Sequence, residues 1–316
     1  MQSAANPRAE REFAPLSPSR MAYGITGNVT KDGIWQPVAE MARWLHRHQR
    51  DFCVTQDIAD GLLDRGLVDD AFCSEHASAH VSRQSDVLLS FGGDGTFLRS
   101  AHAAGLDGPP ILGINVGRLG FLARVEVGDV IRAVEMVEAG ETGVEERLAL
   151  AVEIENDGGV LADLYPWALN DLVVDKSGTA SMIAVDASVD GLFLNTYWAD
   201  GLIAATPTGS TAYALSVGGP IVTPQADAVV LAPIAPHTLT ARPIVLPGSC
   251  VLEIRVTTRD HPYVLAIDGK SRVIEADDLT IRVRRASGAV RLVTLPGEDY
   301  FATVRDKLKW GQSAVF

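Results

Sequence analysis

The sequence predicts two domains of different class: an N-terminal α/β domain, with helices on both faces of a parallel sheet, and an all-β, sandwich-like C-terminal domain. Three observations lead to this prediction. Residues 21–115 alternate short apolar segments with amphipathic ones, whereas residues 148–295 carry many short alternating segments separated by turns. The length of 316 residues suits about two domains.

The first domain is expected to alternate strands with helices. Strands are predicted at 21–25, 52–54, 87–91 and 111–115, and helices at 37–50, 58–63 and 97–104. In the first helix, Val38, Met41, Trp44 and Leu45 fall on one side at helical spacing, and Pro37 suits the first turn. Repeated strand–helix–strand order favours a parallel sheet.

The pattern changes after residue 122. One more helix is predicted at 130–139, and a last helix at 301–308. Between them, short strands are predicted at 148–154, 168–174, 183–189, 192–197, 251–256, 264–267, 279–283 and 290–295. We therefore expect a disordered leader at 1–21, the α/β domain at 22–125, the β-rich domain at 126–295, and a C-terminal helix at 296–316 that returns to the α/β domain.

Composition narrows the class of protein. Hydrophobic residues make up 47% of the chain and the net charge is −13, so nucleic acid phosphates would repel it. The three cysteines form no Cys-x-x-Cys pair, and no apolar run approaches the length that spans a bilayer. We expect a cytoplasmic protein with free thiols that binds neither nucleic acid nor membrane.

The first motif is a glycine-rich loop, Gly92-Gly93-Asp94-Gly95-Thr96, between a predicted strand and a predicted helix. Glycines let the backbone approach an anion, and the start of a helix favours phosphate. A carboxylate would repel phosphate, so Asp94 makes sense as a base for a hydroxyl or as a ligand of Mg²⁺. The plain alternative is an ordinary turn in which Asp94 caps the helix.

The second motif is a hydroxyl-rich string with threonine or serine at 206, 208, 210 and 211, followed by Tyr213. Such a loop can offer N–H groups and hydroxyls to phosphates or sugars, although threonine- and serine-rich turns are common. The third motif is the polar pair Asn170 and Asp171 inside the apolar segment 168–174. Polar residues in a buried strand need partners, which are either the hydroxyls of a ribose or local groups at a bulge.

Together the three motifs resemble the NAD kinase family. The resemblance covers about residues 22–310 and includes the glycine loop, residues 115–122, residues 200–213 and residues 233–247. The glycine loop alone is shared with lipid kinases and phosphofructokinases, whereas the string from Thr206 to Tyr213 is specific to NAD kinases. The segment 197–200 looks like that of the Bacteroidetes-type bacterial subgroup.

The resemblance implies ATP-dependent phosphorylation of the 2′-hydroxyl of the adenosine ribose of NAD. It implies Asp94 as the general base, Gly95 as a backbone contact to the dinucleotide, Arg99 facing phosphates, and Mg²⁺ or another divalent cation held through the nucleotide phosphates. It also implies a homodimer or homotetramer. The remaining residues implied in binding are Gly92, Gly93, Thr96, Asn170, Asp171, Ser181, Trp198, Asp200, Thr208, Ser210, Thr211, Ala212, Tyr213, Ala214, Leu215, Ser216 and Lys270.

The chain departs from the family pattern at several of these positions. Asp171 stands where the family usually has glutamate, and Lys270 where it often has glutamine. Trp198 and Ser181 stand where some members carry arginine and histidine. Two other functions stay open at this point: a kinase of the same superfamily acting on a lipid or a smaller nucleoside, and a non-catalytic dinucleotide-sensing module.

Overall fold

The computed structural model describes residues 21–117, 120–155, 159–178, 182–258, 261–275 and 279–309. The chain divides into two compact units, the first formed by the described parts of 1–146 and 291–316, and the second by 147–290. The first unit therefore includes the helix near residue 130, which the sequence analysis assigned to the second domain. The predicted leader lies almost entirely outside the described residues.

The first unit is an α/β unit. Its strands are β1 (Ala22–Gly27), β2 (Asp51–Thr55), β3 (Ala77–Ser78), β4 (Val87–Gly92), β5 (Ile111–Asn115) and β6 (Val125–Glu126). Its helices are α1 (Trp35–Arg47), α2 (Gln56–Asp64), α3 (Asp70–His76), α4 (Asp94–Ala104) and α5 (Val130–Glu138), with α7 (Tyr300–Leu308) from the C-terminal segment. All the predicted helices and strands of this unit are present, and α3 and the two-residue strands β3 and β6 are additional.

The sheet of the first unit is parallel, in the order β3-β2-β1-β4-β5, and β6 lies beside the carboxyl end of β5. Helices α1, α2 and α5 contribute Met41, Ile58 and Val134 to the largest apolar cluster of this unit. Helix α4 buries Phe97 and Ala101 outside that cluster. The predicted parallel sheet with helices on both faces is thus confirmed, and it places the glycine loop at the carboxyl end of β4.

The second unit is an antiparallel β sandwich. Its elements are β7 (Gly143–Glu155), β8 (Trp167–Ala168), β9 (Asp171–Lys176), β10 (Ile183–Val189), β11 (Leu192–Ala199), β12 (Gly201–Ala205), α6 (Tyr213–Ser216), β13 (Ala228–Ile234), β14 (Ile244–Pro247), β15 (Leu252–Thr257), β16 (Tyr263–Ile267), β17 (Lys270–Ile274) and β18 (Thr280–Thr294). Strand β7 begins, and β18 ends, in the first unit. One sheet has the order β14-β13-β12-β9-β16-β17, and the other contains β11-β10-β15-β18.

The apolar core of the sandwich follows the two-residue period of its strands. Leu172 and Val174 face a core that also takes Val185 and Ile254 from the other sheet. Val173, between them, packs on the opposite side in a second cluster with Ile203 and Ala214. Because the middle strands are buried on both faces, they read as continuous apolar runs rather than alternating ones. This explains why the sequence analysis missed β12 and β13.

Three predicted strands are wrong in detail. The segments 279–283 and 290–295 form one strand, β18, of 15 residues. The predicted strand 168–174 is interrupted, because Leu169 and Asn170 lie between β8 and β9. Asn170 is therefore not at the centre of a strand, and Asp171 is the first residue of β9. The strand is interrupted because the backbone groups of Leu169 and Asn170 form hydrogen bonds with partners outside the strand ladder.

Candidate active site

The glycine loop of the first unit is positioned by the turn from β4 into α4. Gly93 is the residue before the helix, and the N–H groups of Thr96 and Phe97 both donate to its carbonyl, at 2.9 and 3.0 Å. Thr96 is buried, and Arg99 donates from Nη2 to its hydroxyl at 3.4 Å. A Cβ added at Gly95 would meet nothing within 4 Å, so the backbone there is open to close approach by an anion.

A cation lies beside this loop. A Cβ built on Gly93 would lie 3.8 Å from Nζ of Lys31. Lys31 is exposed and belongs to the loop that follows β1, so its ammonium is available to a phosphate at the start of α4. Lys31 is not among the site residues predicted from the sequence.

The Asp94 carboxylate accepts four hydrogen bonds. Oδ1 accepts from the N–H of Leu122 at 2.9 Å and of Ala123 at 3.1 Å. Oδ2 accepts from the N–H of Phe121 at 2.9 Å and from Nζ of Lys307 at 3.0 Å. Asp94 does not cap α4, because Gly93 precedes the helix and no side chain caps it; the Asp94 carboxylate instead holds the loop at 120–123 in place.

These donors decide the charge of Asp94. Burial raises the pKa of the carboxyl, but the attraction of Lys307 and the three backbone N–H groups outweigh it, so the pKa of Asp94 lies below its ordinary value. Asp94 is ionised at neutral pH. Gly120 is required at this contact, since a Cβ there would lie only 2.0 Å from Oδ1 of Asp94.

The polar pair in the second unit is organised by Asp268. The Asp268 carboxylate accepts from the N–H of Leu169 at 2.7 Å, of Asn170 at 2.8 Å and of Asp171 at 3.2 Å. Asp268 and Gly269 both have positive φ, at 48° and 79°, and form the two-residue turn between β16 and β17. The turn thus places the Asp268 carboxylate beside the interrupted strand. There it accepts hydrogen bonds from the backbone N–H groups that the break leaves without a partner in the sheet.

Asp171 is a second, buried carboxylate of this group, with 6% of its surface exposed. Burial and then the charge of Asp268 raise its pKa to about 7, although the N–H of Tyr213 opposes the shift by donating to the carboxyl. Asn170 is half-buried beside it. Such a carboxylate is short of hydrogen-bond donors, which the hydroxyls of a ribose could supply.

The hydroxyl-rich string is arranged differently from what its composition suggested. The Thr206 hydroxyl donates to the carbonyl of Leu169 at 2.5 Å, and Ser210 donates to the carbonyl of Pro207 at 2.6 Å. Thr206, Thr208 and Ser210 are buried, so their hydroxyls hold the loop in shape. The accessible part of the string lies further on, from Thr211 to Ser216, where Tyr213 and Ser216 are exposed and Ala214 is buried.

Two of the predicted site carboxylates of this unit, Asp171 and Asp200, lie near Tyr213. Burial raises the pKa of Tyr213, and so do the charges of Asp175, Asp171 and Asp200. These three carboxylates therefore lie near one tyrosine.

Asp200 forms an ion pair with Lys176 at 2.7 Å, a partner that the sequence analysis missed. Trp198 is 46% exposed on β11, and Lys270 lies over the ring of Tyr165 at 5.0 Å. Ser181 falls outside the described residues.

Two residues at the centre of these groups, Asp268 and Lys307, were not predicted. The Asp268-Gly269 pair is a strong hairpin signal in the sequence, which could have drawn attention to the carboxylate at the turn. Lysine is scarce in this chain, with five among the 27 basic residues, and Lys307 and Lys176 each contact a predicted site carboxylate. Scarcity of a residue type is a weak signal of function, but in this chain one lysine lies at each of the two candidate groups of carboxylates.

Comparison with known proteins covers both units. Residues 23–142 match the ATP-NAD kinase N-terminal domain, and residues 169–295 match the ATP-NAD kinase C-terminal domain. An NAD kinase from Bacteroides fragilis is 37% identical over 295 residues, which is 92% of this chain and 98% of the relative. That source is consistent with the resemblance to the Bacteroidetes-type subgroup.

Two solved structures share the fold. A yeast NADH kinase complexed with NADH has a TM-score of 0.82 at 24% identity, covering 95% of this chain and 89% of the other. An NAD kinase from Archaeoglobus fulgidus in complex with ATP has a TM-score of 0.68 at 25% identity, covering 92% of this chain and 99% of the other. Among the described residues, no helix is both long and apolar enough to cross a membrane.

Proposed function

The chain belongs to the NAD kinase family, and we propose that it phosphorylates the 2′-hydroxyl of the adenosine ribose of NAD with ATP, giving NADP. The observation that carries this proposal is the family match in both units, at 23–142 and 169–295. The first match contains the Asp94 loop and the second contains the carboxylates around Tyr213. A lipid kinase would share only the glycine loop, so that alternative loses its support.

The loop at the start of α4 is proposed to hold the ATP phosphates. Gly93 and Gly95 leave the backbone accessible, and the positive end of an 11-residue helix favours negative charge there. Lys31 adds an exposed ammonium on one side of the loop. Arg99 lies one turn into α4 and adds a second cation, which donates a hydrogen bond to the Thr96 hydroxyl. Together they supply the positioning and charge that phosphoryl transfer needs.

Mg²⁺ is proposed to enter with the nucleotide. The single carboxylate of the glycine loop, Asp94, already accepts four hydrogen bonds. Among the described residues, no group of three or more histidine, cysteine, aspartate or glutamate side chains could hold a metal ion. A cation carried by the phosphates of ATP would offset the charge of the triphosphate.

Asp94 is the proposed acceptor of the ribose proton. It is ionised and held in one orientation by the backbone of residues 121–123, so it meets the first requirements of a base. Its lowered pKa makes it a weak base, so proton transfer occurs late, as the new O–P bond forms. Among the described residues, Lys307 is the one donor to Asp94 that is a side chain, and the other three are backbone N–H groups.

Asn170 and Asp171 are proposed to bind a ribose of NAD. Asp171 is buried near the charge of Asp268, and its carboxyl accepts a hydrogen bond from the backbone N–H of Tyr213. Two ribose hydroxyls would donate hydrogen bonds to the ionised carboxylate and offset part of the free-energy cost of burying it. The accessible segment from Thr211 to Ser216 adjoins it through Tyr213 and is proposed to line the bases of the dinucleotide.

A coupled assay tests the proposed function. Purified protein is incubated with Mg²⁺, ATP and NAD, and NADP is measured by an NADP-specific dehydrogenase; NADH and polyphosphate replace NAD and ATP in parallel arms. We expect NADP from ATP and NAD, and none from NAD that lacks the 2′-hydroxyl, although this analogue should compete with NAD. Phosphorylation of the analogue would refute the assigned position. Binding of NAD without any turnover would favour a dinucleotide sensor.

We also propose that the chain assembles as a homodimer or homotetramer. Strand β11 lies at the edge of its sheet and exposes Leu192 and Phe193 by 75% and 67%. Large apolar side chains at a sheet edge favour association with another surface. Light scattering during gel filtration measures the mass, and a Phe193→Ser variant should weaken assembly. A monomer at micromolar concentration would contradict the proposal.

A further inference from the structure

The glycine loop contains a negative charge that opposes the binding of phosphate. It is suited to phosphate by its glycines and by the start of α4, yet it contains Asp94, whose ionised carboxylate repels an incoming phosphate. If ATP binds at this loop, as the proposed function requires, something must offset that charge. The three backbone N–H groups that bind Asp94 are dipoles, whereas Lys307 is a full positive charge.

Lys307 is fixed at this position by two contacts. Its Nζ lies 3.0 Å from Oδ2 of Asp94 and 4.4 Å from the ring centroid of Phe121, whose N–H donates to the same oxygen. The ion pair is only partly exposed, by 31% at Lys307 and 27% at Asp94. The ammonium is therefore held against the carboxylate while one side of it stays open to an anion.

Helix α7 does not depend on Lys307 for its attachment. Asp299 caps its start by accepting from the N–H of Phe301 at 2.8 Å, and Val304 is buried. Glu298, just before the helix, pairs with Arg124 at 2.9 Å. Arg124 in turn donates to the carbonyl of Phe121 at 3.0 Å. The C-terminal segment thus has two separate ties to the loop at 120–124, and only one of them touches Asp94.

We propose that Lys307 is a positioning residue of the transfer site, which offsets the charge of Asp94 so that the glycine loop can take the ATP phosphates beside an ionised aspartate. This inference rests on the proposed function. Among the described residues, Lys31 beside Gly93 and Arg99 on α4 are also charged and near the loop, and neither forms a hydrogen bond or ion pair with Asp94. Lys307 is therefore the residue whose removal would leave the carboxylate uncompensated.

A double-mutant cycle on ATP binding tests the proposal. The dissociation constant of Mg-ATP is measured by calorimetry for the wild type, Lys307→Met, Asp94→Asn and the double variant. Loss of one partly exposed charge partner is expected to raise the constant about fivefold when Asp94 is present. In the Asp94→Asn background there is no charge to offset, so the same change should alter it by less than about twofold.

Two outcomes would overturn the proposal. An equal loss of affinity in both backgrounds would make Lys307 a direct ligand of phosphate. Unchanged affinity with a lower melting temperature would make the ion pair a structural tie.

If Asp94→Asn does not fold, ionic strength replaces it: the effect of Lys307→Met should shrink in about 0.5 M salt, and Lys307→Arg should keep most of the affinity. A loss that is independent of salt and shared by Lys307→Arg would contradict charge compensation.

Two control variants separate charge from attachment. Lys309→Met removes the same charge two residues further on, at an exposed position, and should leave ATP affinity unchanged. Glu298→Gln breaks the second tie and should lower the melting temperature without changing ATP affinity. Turnover of ATP and NAD by the wild type is measured in the same preparation. An inactive wild type that still shows the coupling would refute the proposed function and leave the role of Lys307 standing.

Discussion

Replacing Asp171 with asparagine should stabilise the protein increasingly as the pH rises. Asp171 is 6% exposed and its pKa is raised to about 7, first by burial and then by the charge of Asp268. In the unfolded chain the same group has a pKa of about 3.9. A raised pKa in the folded state means that the stability contributed by the protonated group is complete below about pH 3.9 and is lost as the pH rises through 7.

The magnitude follows from the two pKa values. Integrating the difference in bound protons from pH 5 to pH 8 gives a loss of about 2.5 kcal/mol in the wild type. Asparagine has nearly the same shape, can still accept from the N–H of Tyr213, and carries no charge at any pH. The stability advantage of Asp171→Asn over the wild type should therefore grow by about this amount across the range.

The assay is equilibrium unfolding in urea at pH 5, 6, 7 and 8 for the two chains, compared at each pH so that other titrating groups cancel. Asp163→Asn is the matched control, because it makes the same change at an aspartate of the same unit that is exposed and paired with Arg272. An Asp171→Asn difference that stays constant within about 0.5 kcal/mol would refute the reasoning. The same variant should raise the KM for NAD, since the charge that costs stability is the one proposed to bind the ribose.

Three other predictions, each with its own variants, test the sites. Asp94→Asn should lower kcat by about 10²–10⁴-fold with the circular dichroism spectrum retained, and a variant that keeps more than a third of the wild-type kcat would remove Asp94 as the base. Gly120→Ala should lower both kcat and the melting temperature because its Cβ would lie 2.0 Å from Oδ1 of Asp94, whereas Gly128→Ala, with nothing within 4 Å, should change neither. Asp171→Glu adds a methylene in a site that is almost closed, so it should raise the KM for NAD at unchanged kcat, and an Asp171→Ala variant with a normal KM would exclude this residue from the site.

The class of each unit and the position of the glycine loop could be predicted from local patterns in the sequence. The helices of the first unit were predictable because each buries one side, so that Val38, Met41 and Leu45 recur at helical spacing. The loop was predictable because a buried strand and a helix bracket it directly, as β4 and α4 do. These are local signals, carried by residues within a few positions of one another.

The partners of the polar residues could not be predicted in this way, because they come from distant parts of the chain. Asn170 and Asp171 looked like polar residues inside one strand, but Asp268, about a hundred positions away, accepts from their N–H groups and breaks the strand. Asp94 looked like a lone carboxylate, but Lys307, 213 positions away, neutralises it. The spacing of residues encodes the period of a helix or strand, whereas the partner of a buried charge depends on where the chain returns, and no local pattern records that.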